Sequence, residues 1–199
     1  MDATVHLVRH GKVENPKGVI YGRIAGFHLS ELGRRQADAA GQHLKDRDVG
    51  AIWVSPLERA QETAETIAKH HPSIEITTDD RLIESLNNFE GSARNLWVIL
   101  RNPRNWWHLR NPVGPSWGET FTDIRERMLE AIGEAVQAAE GREVIIVSHQ
   151  TPTLVARFGL AKRNIPPWLG FAPCQTGSVT SMAIKDGKVL SASYFAPPG

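Results

Sequence analysis

Thr4-Val5-His6-Leu7-Val8-Arg9-His10-Gly11 reads as a short apolar strand that runs into an arginine, a histidine and a glycine. The β-branched and leucine residues suit a strand buried on both faces. The same form returns at Ala51-Ile52-Trp53-Val54, followed by Ser55, and at Glu143-Val144-Ile145-Ile146-Val147, followed by Ser148-His149. A shorter run stands at Ile74-Glu75-Ile76, and between these runs lie helix-period segments at about 30–45, 56–70 and 118–139. Strands that alternate with helices predict an α/β fold, a three-layer αβα sandwich around a mainly parallel sheet. Two alternating runs, Val179 to Ile184 and Val189 to Tyr194, are joined by Lys185-Asp186-Gly187-Lys188, whose Asp-Gly predicts a tight hairpin. The sheet is therefore expected to be mixed.

No Pro/Gly/Ser-rich linker divides the 199 residues, so one domain is expected over 1–199, with an insertion at about 92–117. That insertion carries Trp97, Trp106, Trp107 and Trp117 among prolines and arginines, and reads either as a lid over a site or as a subdomain burying its own aromatics. The balance of 23 basic and 22 acidic residues, net +1, offers no broad cationic field and argues against nucleic acid as a partner. A lone cysteine, Cys174, excludes an internal disulfide, and the apolar run at the amino terminus is interrupted by Arg9 before it could serve as a signal or membrane segment. A cytoplasmic protein without a membrane partner is expected.

Open α/β sheets place their ligands at the carboxyl ends of the strands. That edge here would carry Arg9 and His10 after one strand, Arg59 in the first turn of the helix after another, and His149 after a third. Each alone fits a structural role, but packing does not call for four cationic or imidazole groups at one edge. Gly11 is expected to bring backbone donors close to an anion, and Ser55 with Glu58 has the spacing of a helix capping box, with Pro56 at the first helical position. An arginine- and histidine-rich site suits a phosphoryl group in transit, whose charge is spread over several oxygens. Such a site also needs an acid, for which Glu84, Glu90 and Asp80 compete.

The chain resembles the histidine phosphatase superfamily, also called the phosphoglycerate mutase-like family. The resemblance rests on Arg9-His10-Gly11, Leu29-Ser30-Glu31-Leu32-Gly33-Arg34-Arg35-Gln36-Ala37, Ser55-Pro56-Leu57-Glu58-Arg59-Ala60 with Thr63-Ala64, Leu82-Ile83-Glu84, Phe89-Glu90-Gly91 and Ser148-His149, in family order. It implies that His10 is the nucleophile that becomes phosphorylated, Glu84 the proton donor, and Arg9, Arg59 and His149 the phosphate pocket, with neither metal nor cofactor. It further implies that one His10 nitrogen is held by a backbone carbonyl while cationic neighbours keep the ring neutral. Asn15, which stands one residue earlier than the family's asparagine, and Gln150, where glycine is usual after the second histidine, are candidate substrate contacts. Gly22 and Arg23 fall where relatives touch substrate, and His28 stands at a usually acidic position.

The expected activity is that of a phosphomonoesterase working through phosphohistidine on a small phosphorylated metabolite, with a homodimer allowed. Chain length and the 92–117 segment favour it over a cofactor-dependent phosphoglycerate mutase, in which a second substrate hydroxyl takes the phosphoryl group. A non-catalytic phosphate-binding scaffold is the third reading. Metal ligation by His10 and His149 is disfavoured, because no tight ligand motif accompanies them and the arginines would repel a cation.

Overall fold

Strand β1, Ala3–Arg9, lies at the centre of a six-stranded sheet because Val5, Leu7 and Val8 are almost wholly buried on its two faces. The computed structural model describes residues 2–87, 90–92, 118–166 and 169–198. After β1 come α1 (Glu31–Leu44), β2 (Val49–Val54), α2 (Glu58–Ala68), β3 (Ile76–Thr78) and a single 3-10 turn at Asp80–Leu82. The second half holds α3 (Phe121–Ala138), β4 (Glu143–Ser148), α4 (Gln150–Leu160), a 3-10 turn at Leu169–Phe171, and the hairpin β5 (Val179–Lys185) and β6 (Lys188–Phe195).

The strand order is β3-β2-β4-β1-β5-β6, with β1 to β4 parallel and β5 and β6 antiparallel to their neighbours. On one face Val5, Leu7, Val144 and Ile146 pack with Ile124, Met128 and Ile132 of α3 and Leu154 and Val155 of α4. On the other, Val8, Ile52, Ile145 and Val147 pack with Ala40 and Leu44 of α1 and Ala60, Ala64 and Ile67 of α2. Successive strand residues thus serve opposite layers, as the two-residue period requires, and the expected mixed αβα sandwich is what forms. Asp186 at φ 49° and Gly187 at φ 67° make the tight turn between β5 and β6. None of the helices among the described residues is long and apolar enough to cross a membrane.

Two sequence expectations shift locally. The third strand forms at Ile76–Thr78 rather than 74–76, where Ile76 can pair with Ile52. Helix α2 starts at Glu58 with Leu57 as its N-cap and no side-chain cap, so Ser55 does not cap it; the Ser55 hydroxyl is used elsewhere. The insertion expected at about 92–117 lies, after Ser92, outside the described residues. Asn87 and Gly118 pair across an isolated antiparallel bridge, and the Glu119 amide donates to the Leu86 carbonyl at 3.3 Å.

Candidate active site

Register brings the ends of three parallel strands level: Val8 and Val54 both face Val147, and Arg9 faces Ser148. The His10 amide then donates to the Ser148 carbonyl at 3.0 Å, and the Ser55 amide to the Val147 carbonyl at 3.0 Å. His10, the start of α2 and His149 are therefore held at one edge, where the strand order changes direction around β1 and β4.

His10 is 1% exposed and its Nδ1–H donates to the Gly11 carbonyl at 2.7 Å. A carbonyl can only accept, so Nδ1 carries the proton and the other nitrogen, Nε2, keeps its lone pair. Burial, then the charges of Arg59 and Arg9, push the imidazole down to about 3, and the Gly11 hydrogen bond only partly offsets them. The ring is thus neutral at neutral pH, the form in which imidazole can attack.

Gly11 has a role different from the one its position suggested. Its amide donates to Thr63 Oγ1 at 3.1 Å, and a Cβ on it would lie 2.3 Å from the Gly33 carbonyl oxygen. It is glycine because the loop after β1 passes against α1, not because its amide faces an anion. Thr63 Oγ1 in turn donates to the Arg59 carbonyl at 2.7 Å, which fastens the first turn of α2 to the histidine loop.

Arg59 is fully buried and forms no ion pair among the described residues; its Nη2 donates to the Gly22 carbonyl at 2.6 Å. Its guanidinium lies 4.9 Å from the centre of the Tyr21 ring, whose other neighbours are His10 at 6.3 Å and Phe27 at 5.0 Å. Arg9 Nη1 donates to the Cys174 carbonyl at 2.6 Å. The ring of His149 is 5.1 Å from that of His10, and burial followed by His10, Arg59 and Arg9 holds it well below its ordinary value.

Ser55 Oγ lies 2.7 Å from His149 Nε2 and accepts weakly from the Leu57 amide at 3.4 Å. Its buried hydroxyl proton needs an acceptor, and His149 Nε2 supplies one, which leaves the second proton site of that ring on Nδ1. Among the described residues seven buried side-chain nitrogens and oxygens lack a hydrogen-bond partner, and four of them are Arg9 Nε, Arg59 Nε, Arg59 Nη1 and His149 Nδ1. An unmet buried donor costs about 1–3 kcal/mol, so a purely structural cluster would not concentrate them. All four fit an anion with several oxygens.

Of the three carboxylates named from the sequence, Glu84 is the one that feels the charges of both Arg59 and Arg9. Burial raises its carboxyl above the ordinary value, although the Ser85 amide, Arg59 and Arg9 pull the other way. Asp80 is exposed, and Glu90 Oε1 accepts from the Arg23 amide at 2.8 Å. The loop carrying Glu84 is pinned from three sides: Ser148 Oγ donates to the Leu82 carbonyl at 2.7 Å, Arg23 Nε to the Glu84 carbonyl at 2.7 Å, and Arg127 Nη1 to the Arg81 carbonyl. Glu119 joins the two arginines, taking Arg23 at 2.9 Å and Arg127 at 2.7 Å.

The remaining candidates divide. Gly22, at φ 39°, supplies the carbonyl that holds Arg59, and a Cβ there would lie 2.0 Å from Glu90 Oε1. Arg23 is engaged with Glu84 and Glu119, as above. Asn15 closes its own loop, its Nδ2 donating to the Val19 carbonyl at 2.9 Å and its Oδ1 accepting from the Val19 amide at 3.1 Å. Gln150 is the half-exposed first residue of α4. Tyr21 and the Ser55–His149 pair were not singled out by sequence. No group of three or more His, Cys, Asp or Glu among the described residues is placed to hold a metal ion.

Comparison with known proteins gives a consistent picture. The family model for the histidine phosphatase superfamily (branch 1) matches residues 5–195. An uncharacterized protein of Mycobacterium tuberculosis is 44% identical over 200 residues, covering 98% of this chain and 97% of that protein. A 2,3-bisphosphoglycerate-dependent phosphoglycerate mutase of Thermoplasma acidophilum is 29% identical over 188 residues, 93% of this chain and 89% of the relative. Phosphoserine phosphatase 1 of Hydrogenobacter thermophilus is 30% identical over 150 residues, 73% of this chain and 70% of the relative. The solved structure of Bacillus stearothermophilus YhfR matches with a TM-score of 0.79, at 29% identity and with 94% of each chain covered.

Proposed function

The chain belongs to the histidine phosphatase superfamily, an enzyme of phosphoglycerate mutase-like type, and from that premise we propose a phosphomonoesterase that works through a phosphohistidine at His10 without a metal. The observation that carries the reading is the set of four unpartnered buried nitrogens on Arg9, Arg59 and His149 beside an imidazole kept neutral.

In this mechanism His10 Nε2 attacks phosphorus while Nδ1–H stays on the Gly11 carbonyl, so positive charge developing on the ring is met by a fixed dipole. Arg9, Arg59 and His149 Nδ1–H hold the phosphoryl oxygens; preorganised donors of this kind are each worth about 10²–10³ in rate. The bond to the ester oxygen breaks and Glu84, whose carboxyl burial raises above its ordinary value, gives that oxygen a proton. The Glu84 carboxylate then takes a proton from water, the resulting hydroxide attacks phosphorus, and the P–N bond breaks to return His10 and release phosphate. His149 stays neutral and serves as a donor, its tautomer set by Ser55.

Hydrolysis is preferred to mutase chemistry on one further observation. A mutase must hold a second phosphate during reorientation, whereas Arg23, at the loop that carries Glu84, already donates to the Glu84 carbonyl and pairs with Glu119. The substrate is read as a small phosphorylated metabolite. A cytoplasmic setting belongs to the same reading, supported by the single Cys174, whose thiol is buried and pushed up to about 11. Purified protein is expected to release inorganic phosphate from a panel of phosphomonoesters. Interconversion of 3- and 2-phosphoglycerate that depends on the bisphosphate and outpaces phosphate release would replace hydrolysis with the mutase reading.

A further inference from the structure

The C-terminal end of α4 and the β5–β6 hairpin enclose a cavity of ≈ 490 Å³ that has no part in the chemistry above. Four cationic side chains, Arg157, Lys162, Arg163 and Lys188, line it, and no aspartate or glutamate does. Its floor is apolar, built from Phe158, Met182 and Val189. None of the four cations forms an ion pair among the described residues. In a chain with 23 basic and 22 acidic residues, an acid-free cluster of four is a local feature and not a reflection of overall charge.

The backbone is shaped to put those charges there. Helix α4 ends with the Lys162 amide donating to the Gly159 carbonyl at 2.9 Å and the Arg163 amide donating to the Phe158 carbonyl at 2.9 Å. This is the terminating turn in which glycine is favoured, yet Lys162 occupies it at φ 51°, a conformation that costs a non-glycine residue about 1–2 kcal/mol. Its ammonium crosses the hairpin turn, 3.0 Å from where a Cβ on Gly187 would lie, so the missing side chain at Gly187 makes room for it. A lysine in a strained position, fitted over a glycine and without an ion pair among the described residues, leaves its charge on the cleft wall.

We propose that this cleft binds a small amphiphilic anion, a sulfonate, sulfate, phosphate or carboxylate on an apolar chain or ring. The cations would take the anionic head and the Phe158–Met182–Val189 floor the apolar body. The volume lies in the range of small-molecule sites, and a single aromatic floor residue gives no row of stacking platforms for nucleic-acid bases. The cleft is separate from the His10 pocket: α4 begins directly after His149, and Lys162 lies about 18 Å further along the helix axis.

The test titrates octanesulfonate, which the enzyme cannot hydrolyse, into the purified protein by calorimetry at constant ionic strength, with substitutions in the cleft separating it from the His10 pocket. Saturable one-to-one binding is expected, weakened about tenfold in Lys162→Gln/Lys188→Gln, and weakened also by salt because it rests on charge. Val189→Glu, which puts a carboxylate on the floor, is expected to abolish it. Thermal melting and turnover of p-nitrophenyl phosphate check that the variants are folded, and Lys188→Gln alone serves if the double variant is not. Equal binding by the variants, which would place the ligand outside this cleft, or equal binding of uncharged octyl glucoside would overturn the proposal. Sedimentation with anionic lipid vesicles in the absence of octanesulfonate binding would overturn it too, in favour of a membrane surface.

Discussion

Acid should destabilise this protein in a way that its two site histidines make measurable. His10 is 1% exposed and His149 0%, and burial beside Arg9 and Arg59 holds His10 down at about 3 and His149 well below the ordinary 6.5. The unfolded chain takes a proton on each near 6.5, whereas the folded chain does not until much lower pH. The unfolded state therefore binds more protons throughout that interval, and stability is intact above the unfolded value and falls as pH falls towards the folded one. The slope is about 1.4 kcal/mol per pH unit for each histidine. Acidification from about pH 6.5 to about pH 4.5 thus costs about 2 kcal/mol through His10, with His149 acting in the same direction, a large share of the roughly 5–15 kcal/mol that holds a domain together. Urea unfolding across that range should show His10→Gln losing stability more slowly than the unsubstituted protein, by about 1.4 kcal/mol per pH unit towards its acid end, and His149→Gln departing in the same direction. Plots of stability against pH that stay parallel for all three would show that the histidines are not buried neutral, and the account of the nucleophile would go with them.

Two other substitutions probe the parts around His10. Ser55→Ala removes the 2.7 Å hydrogen bond to His149 and leaves a buried ring nitrogen unmet, at a cost of about 1–3 kcal/mol; kcat/KM should fall about 10–100-fold and ¹⁵N spectra should show the His149 tautomers mixed, whereas Ser55→Thr should retain both. Glu84→Gln should slow hydrolysis of alkyl phosphates by about 10²–10⁴ and remove the alkaline limb of the pH profile, with a smaller effect on p-nitrophenyl phosphate, whose leaving group needs little help from an acid; equal losses on both substrates would remove Glu84 from the role of acid.

The fold was legible because its strands announce themselves. A sheet covered on both faces needs continuous apolar strands, and 4–8, 51–54 and 143–147 supply them. The edge bearing Arg9, His10, Arg59 and His149 followed from the same residues, since the carboxyl ends of parallel strands lie level once the register is set. What stayed hidden depends on contacts between distant segments. Gly11 looked like a cradle for an anion, but the constraint on it is the Gly33 carbonyl brought up by α1. Ser55 and Glu58 had capping spacing, yet Ser55 turns to His149, 94 residues on. Asn15 was read as a phosphate contact, and its amide closes its own loop on Val19. Tyr21 could not be seen as the wall beneath Arg59 until the loop after β1 had folded over the pocket.

The central claim is that phosphate passes through His10. Rapid acid-free quench during turnover of a phosphomonoester, followed by mass spectrometry of the peptide spanning β1, should find a phosphate on His10 that is lost on acid treatment and is absent from His10→Gln. Turnover with no label on His10, or a His10→Gln protein that hydrolyses as fast as the unsubstituted one, would contradict it.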